Sequence, residues 1–404
     1  MKWCNKGHEF DEMEVYFKNT KEIYFYGAVD SAALYVQELE RAIRSVNDGE
    51  LDLNISFVDR NVEKQKKLCC GKRVVSPQEF YDTFYEKNGL VMMCIAEDRA
   101  KKVWMEMAHN GIKRKKYAFT SYDFFKYLYL FIWYRYRKVY LYMIDIFAHT
   151  FCNLNCKHCF VQTYRGVRKQ ADIEELKRVI DVIFQKIDFL EKGYFGIAEG
   201  FLGGKVFEEA FHYMAEKYSD KFGKIEIVTN GTIIPQQSLI KTLKHDQIRV
   251  IVDDYRDNVK LAKENYCKVM DILEENGIQY ESLKRPHWDE SCFGERKMTE
   301  NEEELCKRIG DCICHAKGFP YIGYKEGTTR MYSCVFHAIN AYMDIIEEKE
   351  DDSLELSTAT LTEMIEFLLG YSEKGYLSAC QYCNGMFEGI AVNHVPVAEQ
   401  IDKE

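Results

Sequence analysis

Cys152, Cys156 and Cys159 stand in the spacing C-x3-C-x2-C within the run CNLNCKHC. Three thiols so close in sequence lie on one loop and face a common centre. The chain has 15 cysteines, and its N-terminus, MKWCNKGHEFDEME, has no apolar secretory core. The reading is a cytoplasmic protein. Disulfides are disfavoured in that compartment, so clustered thiols point to metal or redox chemistry. Three thiolates can cap three irons of a [4Fe–4S] cluster and leave the fourth open. Structural zinc competes for the same thiols. Zinc usually takes four protein ligands, and no fourth Cys or His has a standard zinc spacing here. His158 is a stray candidate that requires the loop to fold back sharply. Cys4, Cys69, Cys70, Cys94 and Cys267 read as small buried hydrophobes.

A chain of 404 residues exceeds one ordinary core, so two or three units are expected. The pattern predicts an α/β protein with domains at 1–112, 113–138, 139–300 and 301–404. In the first, EIYFYGA (22–28), ISFVDRN (55–61) and GLVMMCIA (89–96) read as strands. Helical periodicity covers 31–46 and 100–112. Alternation of this kind implies a Rossmann-like parallel sheet. Gly27 sits where a dinucleotide fingerprint begins, and Asp59 comes after the second strand, but the later glycines are missing. The stretch 117–142 is rich in Tyr and Phe and predicts a connecting helix over about 122–135.

From Val139 the alternation restarts. Strands are expected at 139–148, 194–202, 224–229, 248–253 and 278–283. Helices are expected at 172–192, 206–220, 236–244 and 257–276, with Gly193, Gly223 and Gly277 at helix ends. Five such units suit a barrel or partial barrel.

The cysteine run closely resembles the signature of the radical SAM enzymes, over roughly 139–290. The resemblance implies a partial (β/α)6 barrel, a [4Fe–4S] cluster and S-adenosylmethionine chelating the open iron. It also implies a 5′-deoxyadenosyl radical that abstracts a substrate hydrogen. Gly203-Gly204 is similar to the family turn that holds the methionine ammonium, although Lys205 stands next where the family has Glu. Backbone carbonyls, Glu199 or Glu208 then take that place. Thr229-Asn230-Gly231 resembles the family's turn near the ribose, and Asp253 or Asp254 the polar position ending the fourth strand. Cys292, in KRPHWDESCF after the fifth strand, is a candidate hydrogen-atom donor.

Cys334, Cys380, Cys383 and one of Cys312 or Cys314 form a second group, in which a hairpin flanked by thiols meets a C-x2-C pair. It resembles the twitch and SPASM extensions, which implies one auxiliary [4Fe–4S] cluster; a Cys4 zinc fits the same ligands. GKRVVSPQEFYD (71–82) and WCNKGHEFD (3–11) resemble modules of nucleotide-sugar and surface-glycan proteins. The expected function is therefore a radical SAM enzyme acting on a nucleotide-activated sugar or other small glycan precursor. The alternatives are a peptide-modifying maturase and a non-catalytic iron–sulfur scaffold. An electron donor such as flavodoxin or ferredoxin is the implied partner. Net charge of −10 argues against nucleic acid. The most apolar stretch, 124–147, is broken by Lys126, Arg135, Arg137 and Lys138, so no membrane span is expected.

Overall fold

The strand β1 (Glu22–Tyr26) is buried at all five positions, as a strand covered on both faces must be. It is flanked by β2 (Asn54–Val58), β3 (Val74–Val75), β4 (Leu90–Met93) and β5 (Ala118–Phe119) in the order β3-β2-β1-β4-β5. Every pairing is parallel. This is the order of the first five strands of a doubly wound sheet, with its switch point between β1 and β4. The computed structural model describes residues 11–196, 198–290, 299–312, 318–325, 327–349, 352–369, 375–383, 385 and 394–401. The chain divides into two units, the first reaching Tyr140 and the second running from Leu141.

In the first unit the helices are α1 (Asp11–Lys18), α2 (Ala33–Val46), α3 (Val62–Gln65), α4 (Pro77–Thr83), α5 (Glu97–His109) and α6 (Ser121–Tyr136). The segment 113–138, expected to be a separate connector, lies inside this unit. It supplies β5 and α6. Phe131 meets Phe17 of α1 edge-on at 5.6 Å, and Phe124 packs on Phe25 of β1 at 6.4 Å. A helix apolar on most of its circumference needs cover on most sides, and α1 and the sheet provide it. Thr120 starts it by accepting from Asp123 N.

The second unit holds β6 (Tyr140–Ile146), β7 (Phe189–Phe195), β8 (Phe222–Thr229), β9 (Ile248–Asp253) and β10 (Tyr280–Leu283). Between them lie α7 (Ile173–Lys186), α8 (Gly204–Tyr218), α9 (Gln237–Leu243) and α10 (Lys260–Glu275). A short strand β11 (Trp288–Asp289) precedes β12 (Tyr321–Lys325), β13 (Thr328–Tyr332) and β14 (Leu354–Glu355), and β15 (His394–Val395) comes last. The main sheet runs β10-β9-β8-β7-β6-β12-β13-β14. Its sixth parallel strand is β12, which joins beside β6; β13 and β14 extend the sheet antiparallel. The α/β architecture is thus an open sheet of a partial barrel, with β10 and β14 as edges.

One strand departs from expectation. The second strand of this sheet is 189–195, not 194–202, and α7 ends at Lys186, not near 192. Gly193 is therefore inside a strand, where a Cβ would stand 2.5 Å from Ile225 Cδ1. Close packing explains that glycine, not helix termination. Gly223 likewise lies in β8. Gly277 does sit just past α10, with φ of +65°. No helix among the described residues is long and apolar enough to cross a membrane.

Candidate functional site

Beyond β6 the chain makes a loop pinched at its base. Thr150 N donates to Lys169 O at 2.9 Å, and His149 bridges Gln170. Cys152, Cys156 and Cys159 all lie on this loop. Leu154 N (3.4 Å) and Asn230 Nδ2 (3.8 Å) donate to Cys152 Sγ. Gln400 Nε2 donates to Cys156 Sγ at 3.1 Å. Leu154, Cys156, Val259, Ala262, Val397 and Ala398 form a buried cluster against which Cys152 and Cys159 pack. Burial pushes the Cys152 and Cys156 thiols up to about 12.

Because β7 ends at Phe195, the turn beyond it is re-aimed. Gly203 and Gly204 do not end a strand; they begin α8, and Lys205 is exposed and paired with Glu209 at 3.1 Å. Glu208 sits on the same helix and accepts from Ser238. Glu199 instead lies in the turn after β7, 2% exposed. Its backbone N donates to Phe151 O at 2.9 Å, tying it to the cysteine loop. Its carboxylate accepts from Thr229 Oγ1 (2.6 Å), Asn230 N (2.8 Å) and Phe201 N (3.1 Å). Burial raises its pKa to about 7, with Asp253 adding to the rise.

Asp253 ends β9 on the same sheet edge. Tyr255 OH donates to its Oδ2 at 3.1 Å, while the buried Oδ1 has no hydrogen-bond partner. Arg285 Nε stands 3.6 Å from that oxygen. Burial raises the Asp253 pKa. Asp254 is held by Arg256 at 2.8 and 2.9 Å and is thereby occupied. Thr229 and Asn230 close the set: Asn230 Nδ2 also reaches Asn153 Oδ1 at 3.1 Å, and Asn153 reaches Thr232. Gly231 turns with φ of +68°, where a Cβ would meet Tyr266 at 2.9 Å.

The residues fit a thiolate-held cluster and a cationic ligand. The Cys152 and Cys156 sulfurs are met by N–H donors, which suit a thiolate. Two buried carboxylates stand near them, Glu199 and Asp253, the latter with an oxygen that makes no hydrogen bond and faces Arg285 at 3.6 Å; negative charge there suits an ammonium or sulfonium. Among the described residues no three Cys, His, Asp or Glu side chains converge on a single-ion position.

In the second cysteine group, Cys312, Cys334, Cys380 and Cys383 line one cavity of about 40 Å³, together with Arg308 and Phe336. Small-molecule sites are roughly 300–1,000 Å³, so this space suits a compact inorganic group. The hairpin β12–β13 separates Cys312 from Cys334, and Cys334 sits at the N-terminus of the helix Val335–Tyr342. Arg308 Nη1 donates to Cys383 O at 2.7 Å. Burial pushes Cys380 up to about 12, with the neighbouring thiols Cys383 and Cys312 adding to it. Cys314 and Cys292 lie outside the described residues.

In the first unit the fingerprint positions are self-satisfied. Asp59 Oδ2 accepts from Ala28 N and Lys64 Nζ at 3.1 Å each, and Oδ1 from Asn61 N at 2.9 Å. Gly27 has φ of +109° and packs on Ile95. Glu199 is a sequence candidate whose place in the fold differs from expectation, and Gln400 is not foreseen. The pattern puts Glu199 inside a strand, although the Lys186–Ile187 break and the alternation after it point to an earlier strand. The contribution of Gln400 carries no sequence signal.

Residues 146–283 match the family model of the Radical SAM superfamily. The chain is 27% identical over 143 residues to the antilisterial bacteriocin subtilosin biosynthesis protein AlbA of Bacillus subtilis (strain 168), covering 31% of this chain and 29% of AlbA. Among solved structures it is similar to anSMEcpe with bound AdoMet and Cp18Cys peptide, at 18% identity and a TM-score of 0.29, covering 35% of this chain and 42% of that one. It is also similar to BtrN in complex with AdoMet and 2-DOIA, at 14% identity and a TM-score of 0.38, covering 65% and 98%. The chain thus spans under half the length of AlbA and of anSMEcpe.

Proposed function

We propose that this chain is a radical SAM enzyme that reductively cleaves S-adenosylmethionine and abstracts a hydrogen atom from a small-molecule substrate. The observation that carries the reading is one edge of one sheet. There the C-x3-C-x2-C loop after β6, Glu199 after β7, Asn230 after β8 and Asp253 at the end of β9 come together. Loops after parallel strands are where such sheets do chemistry.

When bound, the cluster and S-adenosylmethionine supply a 5′-deoxyadenosyl radical. Cys152, Cys156 and Cys159 would hold three irons. Glu199 and Asp253 would receive the positive charge of the cofactor's methionine end. Asn230 fixes both partners at once, since its backbone N donates to Glu199 and its side chain to Cys152. Buried packing around the loop limits water. Cys312, Cys334, Cys380 and Cys383 hold an auxiliary cluster, and an external flavodoxin- or ferredoxin-like protein delivers the electron. Cys292 would donate a hydrogen atom to the substrate carbon radical, its S–H bond breaking as the C–H bond forms, and the thiyl radical left behind would take one electron from the external donor and a proton from solvent.

The substrate class rests only on the resemblance of 71–82 and 3–11 to modules of nucleotide-sugar and surface-glycan proteins; the parallel sheet of the first unit is compatible with it. A peptide substrate is the second reading, favoured by the similarity to AlbA, a bacteriocin biosynthesis protein. Anaerobic reconstitution and then addition of dithionite and S-adenosylmethionine test the core of the proposal. 5′-Deoxyadenosine is the expected product, and its absence from a protein loaded with iron at 152–159 refutes it. Stimulation of that product by nucleotide sugars, against stimulation by peptides, separates the two substrate readings.

A further inference from the structure

The segment His394–Ile401 reaches the cysteine loop from the far end of the sequence. β15 pairs antiparallel with β11. Asn258 Nδ2 then holds Val397 O at 2.7 Å, and Ala398 is fully buried with φ of +53°. That left-handed backbone costs a non-glycine residue energy, and the packing around it holds it. Beyond it, Lys157 N donates to Glu399 O and Ile401 N to Asn155 O, each at 2.8 Å. The strap is thus stitched along the loop that carries Cys156.

Gln400 sits at the centre of this seam. Its Oε1 accepts from Asn155 N at 2.9 Å. Its Nε2 donates to Ala398 O at 2.7 Å and to Cys156 Sγ at 3.1 Å. The orientation of the amide is therefore fixed. Turned over, its NH2 would face the N–H of Asn155, and its oxygen would face the Ala398 carbonyl and the sulfur.

We propose that Gln400 is a positioning residue that tunes the cluster at 152–159, by donating a hydrogen bond to the Cys156 thiolate and so raising its reduction potential. Reduction adds negative charge shared by the thiolates, and a fixed N–H donor stabilises the reduced state more than the oxidised one. The strap also shields the sulfur from water. The inference rests on the proposed [4Fe–4S] cluster and adds an element outside the cysteine motif.

Redox titration of the reconstituted full chain, read by electron paramagnetic resonance, tests it. Gln400→Leu removes the donor, and Gln400→Glu keeps an acceptor for Asn155 N while facing the sulfur with an oxygen. Both are expected to shift the midpoint negative, Glu the further. One net hydrogen bond of about 1 kcal/mol corresponds to roughly a fivefold lower reduced-to-oxidised ratio at fixed potential. Ile401→Val, an uncharged change at an exposed side chain of the same strap, is expected to leave the midpoint unchanged. An unchanged midpoint in iron-loaded Gln400→Leu overturns the proposal. If both Gln400 variants lose iron, wild-type protein with isotopically labelled glutamine amide nitrogen decides. Pulsed resonance of the reduced cluster is expected to show coupling to that label, and no coupling overturns the contact. Failure of the underlying cluster assignment is a distinct result, since the wild-type loop would then hold no iron.

Discussion

The two units present the same architectural edge in opposite states. Both have a parallel sheet whose strand ends gather polar residues. In the first, the Asp59 carboxylate is saturated by Ala28 N, Asn61 N and Lys64. In the second, Asp253 keeps an oxygen without a hydrogen-bond partner, and thiols stand beside buried carboxylates. A buried polar group without a hydrogen bond costs stability, and in the second unit one stands at a strand end near the cysteine loop, facing Arg285. Parallel topology is common to both units; the thiols and buried carboxylates gathered at the strand ends distinguish the second.

The largest expected effect breaks the second unit's edge outright. Replacing Cys152, Cys156 and Cys159 together by Ala is expected to abolish 5′-deoxyadenosine formation. Iron should fall by about four atoms per chain, leaving about four in the auxiliary group. Iron analysis that finds zinc alone in this variant removes the auxiliary cluster from the account. Replacing Cys380 and Cys383 by Ala is the converse, with about four irons lost and the loop cluster retained.

A smaller effect sharpens the role of the buried carboxylate. Glu199→Gln keeps the shape and an acceptor oxygen but removes the charge. Hydrogen bonds to charged groups contribute about 1.5–3 kcal/mol, so S-adenosylmethionine affinity is expected to weaken roughly tenfold to a hundredfold. Calorimetric titration of the iron-loaded protein measures it; equal affinity removes Glu199 from the cofactor's shell.

In the first unit Asp59→Asn is expected to act on stability only. Loss of the ion pair and one acceptor should cost about 1–2 kcal/mol, read by denaturant unfolding, while 5′-deoxyadenosine formation is unchanged. A fall in cofactor cleavage at equal folding would show that the first unit's edge is functional after all.

The smallest effect concerns pH. Glu22 is fully buried on β1. Burial pushes its carboxyl up, but bonds from Lys87, Ser56 and Arg73 together outweigh this and hold it below the usual range. A carboxylate with a lowered folded pKa contributes stability above its unfolded value and loses it as pH falls through the folded one. Protection factors of amides in β1 and β2, taken relative to intrinsic exchange, are expected to fall on acidification below about pH 4, and Glu22→Gln to flatten that dependence. An unchanged profile in the variant assigns the acid sensitivity elsewhere.

Much of this was legible in sequence because the signals are local. Three cysteines within one loop can face only one centre, and the runs at 22–28, 55–61 and 248–253 alternate with helices strongly enough to give parallel sheets. The hairpin between Cys312 and Cys334 is legible from thiols flanking two short β-prone runs. The departure at 194–202 has a local cause too. Helical periodicity carries the reading past Lys186, since Phe189–Phe195 includes Glu191, Lys192 and Gly193, residues poor in strand propensity. Burial against Ile225 and pairing with β8 override that propensity.

By itself, then, the sequence determined the cysteine centre and the α/β alternation, because each depends on neighbours within a few residues. Only the tertiary structure decided that Glu199 lies in the turn after β7, tied to the cysteine loop through Phe151. It also decided that Cys312 lines one cavity with Cys334, Cys380 and Cys383 and that Gln400 meets Cys156. Those pairings span up to 244 residues, and no local pattern encodes them. They exist because packing of the sheet edge and the C-terminal strap brings donors to sulfur and carboxylate where burial makes each unmatched group costly.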